Sequence, residues 1–159
     1  MTASRTILGA TLALSLLAST AAVAGERFVP SADGQEVLDT QTNLVWRRCV
    51  EGMKWDGKTC AGKALRMKFA LAKQHAAKEK GSAGPWRVPT KEELSTLVVR
   101  QKARPLVDAQ AFPNQPKVLY WARRKGFEDN LNAWTVDFGN GKAYGDGGNK
   151  HGVRLVREK

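Results

Sequence analysis

The sequence has few of the residues that build metal centres and catalytic sites. Its 159 residues include two cysteines, Cys49 and Cys60, and two histidines, His75 and His151. Two cysteines exclude a scaffold built on several disulfides, and the histidines, 76 positions apart, fit no zinc-finger spacing. No nucleophile-elbow motif and no His-Glu-x-x-His motif occurs. We therefore predict a non-enzymatic protein without catalytic residues, cofactor or metal.

Long apolar runs are equally scarce. The stretch from residue 7 to 17 is the clearest one, and it is too short for a membrane span of about 20 residues. It follows Arg5 and precedes the small residues Ala22-Val23-Ala24, which is the pattern of a secretory signal peptide. We predict that residues 1–24 are a signal peptide cleaved after Ala24, the alternative being an uncleaved anchor.

No stretch after the signal peptide is apolar enough to span a bilayer. We therefore expect an exported protein, periplasmic or extracellular, with no transmembrane segment after the leader. Residues 25–159 are predicted to form one domain, because 135 residues suffice for a single core.

Acidic residues are few: 15 Asp and Glu stand against 26 Lys and Arg, a net charge of +11. Loss of the leader removes only Arg5, which leaves +10. Such an excess favours anionic partners, and the planar guanidinium of arginine suits sulfate and phosphate. Local basic clusters occur at residues 47–48, 100–104 and 123–125. The alternative is a solvated basic surface without a ligand.

The predicted export also bears on the oxidation state of the two cysteines. Outside the reducing cytosol, a lone pair most often forms a disulfide. Gly52 and Gly57 lie between the two cysteines and let the chain turn back. Closing this loop would stabilise the fold by about 2.5–3 kcal/mol in the chain-entropy model. We predict a Cys49–Cys60 disulfide, with a metal site as the runner-up and a redox pair as the weaker alternative.

Strand patterns come first in the chain, two helices follow, and strands end it. This segregation predicts an α+β fold with small antiparallel sheets rather than a parallel α/β sheet. A first helix is predicted over residues 62–80 from an apolar stripe; the stripe consists of Ala61, Leu65, Phe69, Ala72 and Ala76. A second helix begins at Thr90, where Thr90 and Glu93 make a capping box.

The predicted strands cover residues 28–30, a hairpin over 35–49, and residues 118–122, 133–138 and 153–157. Asn140-Gly141 favours a type I′ turn after the fourth of these segments. Four tryptophans, Trp46, Trp86, Trp121 and Trp134, lie in strand-like runs and are predicted to be core residues.

Several strings together resemble the bacterial Lcl C-terminal domain family. They are Asp39-x-x-Thr42-x-Leu44-x-Trp46-x-Arg48-Cys49, Gly52-x-x-Trp55-x-Gly57-x-x-Cys60, Trp86-Arg87-Val88-Pro89-Thr90-x-x-Glu93-Leu94, Ala111-Phe112-Pro113, Tyr120-Trp121 and Val153-Arg154-Leu155-Val156-Arg157. The resemblance implies an exported domain with a C-type-lectin-like fold. The namesake domain is associated with binding sulfated glycosaminoglycans. This chain lacks its collagen-like repeat, so trimerisation is not carried over.

We therefore expect a binding module for a polyanionic glycan or another envelope component. Arg123, Arg124 and Lys125 are the predicted contacts. Trp55 is a second candidate, which would either stack on a sugar ring or cover the disulfide. Nucleic acid is not expected as the partner. The alternative function is a structural or inhibitory protein that binds another envelope protein.

A calcium site and a catalytic histidine are two further possibilities. Asp129, Asn130, Asn132 and Asp146 offer oxygen atoms for calcium, but loop capping explains them equally well. His75 falls on the first predicted helix and is expected to be an exposed helix residue. Neither pattern favours a site.

Overall fold

The structure is a computed structural model that describes residues 26–79, 84–100, 104–126, 133–146 and 148–159. The predicted signal peptide lies outside these ranges, as do Lys102, Asp129, Asn130 and Asn132. The elements are β1 (Phe28–Pro30), β2 (Glu36–Asp39), β3 (Leu44–Arg47), β4 (Met53–Trp55), β5 (Cys60–Gly62), α1 (Phe69–Lys78), α2 (Lys91–Ser95), β6 (Leu119–Arg123), β7 (Ala133–Asp137), β8 (Lys142–Gly145) and β9 (Val156–Glu158).

The first sheet joins the two ends of the domain. Its order is β1-β2-β3-β9, and all three pairings are antiparallel. Val37 and Trp46 are direct partners across β2 and β3, and both are completely buried. Asn43 turns the hairpin with a φ of 57°, a conformation that asparagine tolerates better than most residues. The predicted first strand and the hairpin after it are confirmed.

A two-stranded hairpin, β4–β5, replaces the start of the predicted first helix. Cys60, Ala61 and Gly62 pair with β4, so α1 begins only at Phe69. The apolar stripe is therefore right for Phe69, Ala72 and Ala76, which are buried, and wrong for Ala61 and Leu65. Leu65 is 48% exposed. Pairing of β5 across the cysteine loop overrides the local helix pattern.

The third sheet has the order β6-β7-β8, and α2 packs against it. The capping box at the start of α2 is confirmed: the Glu93 amide donates to Thr90 Oγ1, and the Thr90 amide donates to the Glu93 carboxylate. The type I′ turn is wrong, because in the loop after β7 only Gly141 has positive φ, at 73°. A type I′ turn needs positive φ at Asn140 as well.

Small antiparallel sheets and two helices confirm the predicted α+β class. Trp46, Trp86 and Trp121 are buried in the core as predicted, whereas Trp134 is half-buried. The Trp121 indole donates a 2.6 Å hydrogen bond to the carbonyl oxygen of Met67, which joins β6 to the segment before α1. Neither helix in the described ranges has the length and hydropathy that crossing a membrane requires.

Candidate functional site

Part of the basic charge is neutralised within the fold. Among the described residues, ion pairs at 2.6–2.8 Å join Arg27 to Asp39, Arg47 to Glu79, Arg87 to Glu93 and Glu158, and Arg157 to Glu36. Three of these pairs link elements that are far apart in sequence. These arginines therefore hold the sheets together, and their charge is not available to an anionic partner.

Arg154 is an arginine that sequence reasoning did not single out. Its side chain is buried and donates hydrogen bonds to the main-chain oxygens of Arg47 and Arg48 and to the side-chain oxygen of Gln115. Its guanidinium also lies 4.5 Å from the ring centre of Phe112. Burial disfavours the charged form and lowers the pKa of Arg154 to about 10. Arg154 therefore stabilises the core and is not exposed to a ligand.

Arg48 and Trp55 contact each other. The Arg48 guanidinium lies 3.6 Å from the centre of the Trp55 ring and donates to the carbonyl oxygen of Gln110. Burial lowers the pKa of Arg48. Trp55 is also the direct partner of Cys60 across the β4–β5 hairpin. One face of the indole is thus covered by arginine, which leaves less of the ring for a sugar.

The cysteines that bracket this hairpin lie at disulfide distance. Their sulfur atoms are 2.06 Å apart and their Cα atoms 5.5 Å apart. Both residues are buried in the core that β1–β3 share with the loop around Phe112. The pair therefore connects the end of β3 to β5.

The predicted contact residues Arg123, Arg124 and Lys125 lie at the end of β6. The Arg123 amide donates to the carbonyl oxygen of Pro89, and its half-buried side chain lines a cavity of about 260 Å³ that Lys73 and Arg87 also line. Arg124 and Lys125 follow on the exposed turn. Trp55 belongs to a different sheet and does not line this cavity. The predicted site residues thus occupy two separate places.

A larger cavity, of about 550 Å³, lies near the start of β6. Three exposed cations line it: Arg66, Arg104 and Lys117. Within the ranges that the structure describes, none of the three forms an ion pair. Arg66 donates a hydrogen bond to the carbonyl oxygen of Lys150. Sequence reasoning found Arg104 within a basic cluster but missed Arg66 and Lys117, because the three come from separate segments.

A buried histidine lines one wall of this cavity and contacts a half-buried carboxylate outside it. His151 Nε2 lies 2.7 Å from Asp146 Oδ2, and the imidazole packs edge-on against Trp121. The backbone amides of Gly148 and Asn149, together with His151, lower the pKa of Asp146. Asp146 therefore caps its own loop, and its oxygens already have donors. No serine, threonine or cysteine lines the cavity among the described residues.

His75 is not the exposed helix residue that the sequence predicted. It is half-buried, and its Nε2 lies 2.7 Å from Oε2 of Glu51, which precedes β4. Glu79, at the end of α1, lies beside both residues. This cluster was missed because Glu51 and His75 are 24 positions apart, although Glu79 lies four residues after His75 within the predicted helix.

The described residues thus define an α+β domain with two cavities that are lined in part by cations. The model of the Lcl C-terminal domain matches residues 35–157, most of the chain. The protein therefore belongs to the Lcl C-terminal domain family, which confirms the resemblance drawn from its motifs. No curated protein and no solved structure matches the chain significantly.

Proposed function

We propose that this domain is an exported, non-enzymatic binding module for a polyanionic glycan or another anionic polymer of the cell envelope. The observation that carries the proposal is the 550 Å³ cavity lined by Arg66, Arg104 and Lys117. Cations without a carboxylate partner keep their full attraction for sulfate or carboxylate groups. Arg27, Arg47, Arg87 and Arg157, by contrast, are already neutralised by ion pairs.

The position of the cations favours a polymer over a small anion. Lys117 lies just before β6, and the predicted contacts Arg123, Arg124 and Lys125 lie at its other end. A strand rises about 3.3 Å per residue, so β6 alone, from Leu119 to Arg123, puts roughly 13 Å between the two basic groups. A chain of several charged sugars can contact both, whereas a single sulfate cannot.

The fold expected for such a module is C-type-lectin-like, as the family resemblance implies. The small antiparallel sheets, the two helices and the first sheet that joins both ends of the domain are compatible with it. An experimental structure compared with lectin domains tests this part of the proposal. A topology in which β1 and β9 do not share a sheet would contradict it.

Charge reversal tests the cavity directly. The double variant Arg104→Glu/Lys117→Glu should elute from a heparin column at clearly lower salt than the wild type. The same applies to Arg124→Glu/Lys125→Glu if the far end of β6 takes part. Lys58→Glu/Lys63→Glu is the matched control, because it changes the net charge equally at exposed positions of the cysteine loop and just after β5. Equal shifts in all three variants would contradict a local site.

A capture experiment distinguishes glycan binding from the alternative function, which is binding of another envelope protein. The immobilised protein is incubated with envelope extract, with and without prior polysaccharide digestion. Loss of captured material after digestion supports a glycan partner. An envelope protein that is retained after digestion, and that Arg104→Glu/Lys117→Glu still retains, would instead support the structural or inhibitory role. Nuclease treatment distinguishes nucleic acid, which binds through the same electrostatics.

A further inference from the structure

Three side chains with metal-ligating atoms meet beside the end of α1. His75 Nε2 lies 2.7 Å from Glu51 Oε2 and 4.0 Å from Glu79 Oε1. One ligand atom of each residue lies within 4.8 Å of the other two. Ligand atoms bound tetrahedrally at about 2.0–2.1 Å from zinc are roughly 3.3 Å apart. Side-chain shifts of about 1 Å would therefore bring all three onto one ion.

The main chain holds these ligands in place. His75 and Glu79 are four residues apart at the end of α1, so their side chains lie on the same face. The Glu51 amide donates to the carbonyl oxygen of Val153, and the Glu51 carbonyl oxygen accepts from the amide of Leu65. Glu51 also follows Cys49 by two positions, close to the disulfide. Each ligand therefore comes from a fixed backbone.

The surroundings suit a bound cation. The side chains of Glu51, His75 and Glu79 are 11%, 28% and 34% exposed, so they are partly shielded but accessible. Glu51 and Glu79 line a cavity of about 270 Å³, which leaves room for water to complete the coordination. Arg47 binds Oε2 of Glu79, the oxygen that does not face His75. Such outer contacts orient ligating carboxylates in metal sites.

We propose that Glu51, His75 and Glu79 bind one divalent transition-metal ion of the zinc type. An imidazole nitrogen with two carboxylate oxygens suits zinc or manganese, whereas calcium and magnesium prefer all-oxygen ligands. The site shares no residue with the basic cavity lined by Arg66, Arg104 and Lys117. Its existence is therefore independent of the proposed glycan binding.

The test uses the full chain without a histidine tag, treated with chelator and titrated with Zn²⁺ by calorimetry. We expect one Zn²⁺ per chain. His75→Gln and Glu79→Gln should each weaken the affinity at least about tenfold, because each removes a ligand. Glu92→Gln removes an exposed carboxylate from α2 and is the matched control that should bind as the wild type does. Cobalt should give visible absorption bands that His75→Gln abolishes.

Several results would overturn the proposal. Absence of stoichiometric Zn²⁺ uptake is one, and unchanged affinity in both His75→Gln and Glu79→Gln is another. Loss of binding in His151→Gln but not in His75→Gln would place the ion at Asp146 and His151 instead. Circular dichroism of each variant confirms folding.

Discussion

At the level of single residues, Arg154 shows how this domain uses positive charge inside its core. A buried arginine is costly unless its donors find acceptors, because the charge loses its hydration. Here the acceptors are neutral: two main-chain oxygens that follow or end β3, and the side-chain oxygen of Gln115. Arg154 thus ties the end of β3 to the irregular loop that carries Phe112.

Replacing Arg154 with methionine should destabilise the domain by about 3 kcal/mol. The variant keeps the length of the side chain but leaves two or more buried acceptors without a donor. Urea unfolding measures the free energy of unfolding of the variant and the wild type. Arg100→Met is the control, since Arg100 is exposed and its replacement should change stability by less than about 0.5 kcal/mol. Equal losses in the two variants would contradict the role of Arg154.

At the level of elements, the β4–β5 hairpin is a short unit that depends on its disulfide. Three paired residues on each strand are too few to persist alone in water. Cys49→Ser/Cys60→Ser should lower the free energy of unfolding by about 2–3 kcal/mol. Amide exchange should accelerate in β4 and β5 more than in β2. Reduction of the wild type should reproduce the effect, and an unchanged hairpin after reduction would contradict the prediction.

The short helix α2 depends on its N-cap residue, Thr90. Five residues are too few for a stable isolated helix, so the Thr90 and Glu93 cap and packing on the third sheet must sustain it. Thr90→Ala should cost about 1 kcal/mol, whereas Thr90→Ser keeps the hydroxyl and should recover most of that loss. Thermal unfolding of both variants provides the comparison. Equal stability of the alanine and serine variants would show that the hydroxyl contributes nothing.

The sequence predicts correctly those elements that depend on residues close together in the chain. The hairpin of β2 and β3 and the Thr90 cap follow from alternation, turn residues and one capping pair, all within short stretches. The start of α1 was wrong because a strand pairing formed across the cysteine loop. The basic cavity and the Glu51–His75 contact join segments that are distant in sequence, and no spacing rule encodes such contacts.

For the whole molecule, carboxylates set the response to acid. Burial by itself raises the pKa of Asp39, but hydrogen bonds from Arg27 and from the Gln41 amide outweigh it and hold the pKa below its usual value. The same balance lowers the pKa of Glu93, where Arg87 and the Thr90 amide are the donors. Both carboxylates therefore bind protons more weakly in the folded state than in the unfolded one.

Because the pKa values of these two carboxyl groups are lower in the folded state, acid should destabilise the domain. A depressed carboxyl pKa contributes its full stability above the unfolded value of about 4, and the contribution is lost as pH falls through the lower folded value. The wild type should thus lose stability between about pH 5 and pH 2, measured by urea unfolding at a series of pH values. Asp39→Asn should be less stable than the wild type by a constant amount near pH 7, and the difference should shrink toward pH 2. If the difference stays constant down to that pH, the Arg27–Asp39 pair does not depress the pKa of Asp39, and the acid sensitivity must arise from other carboxylates.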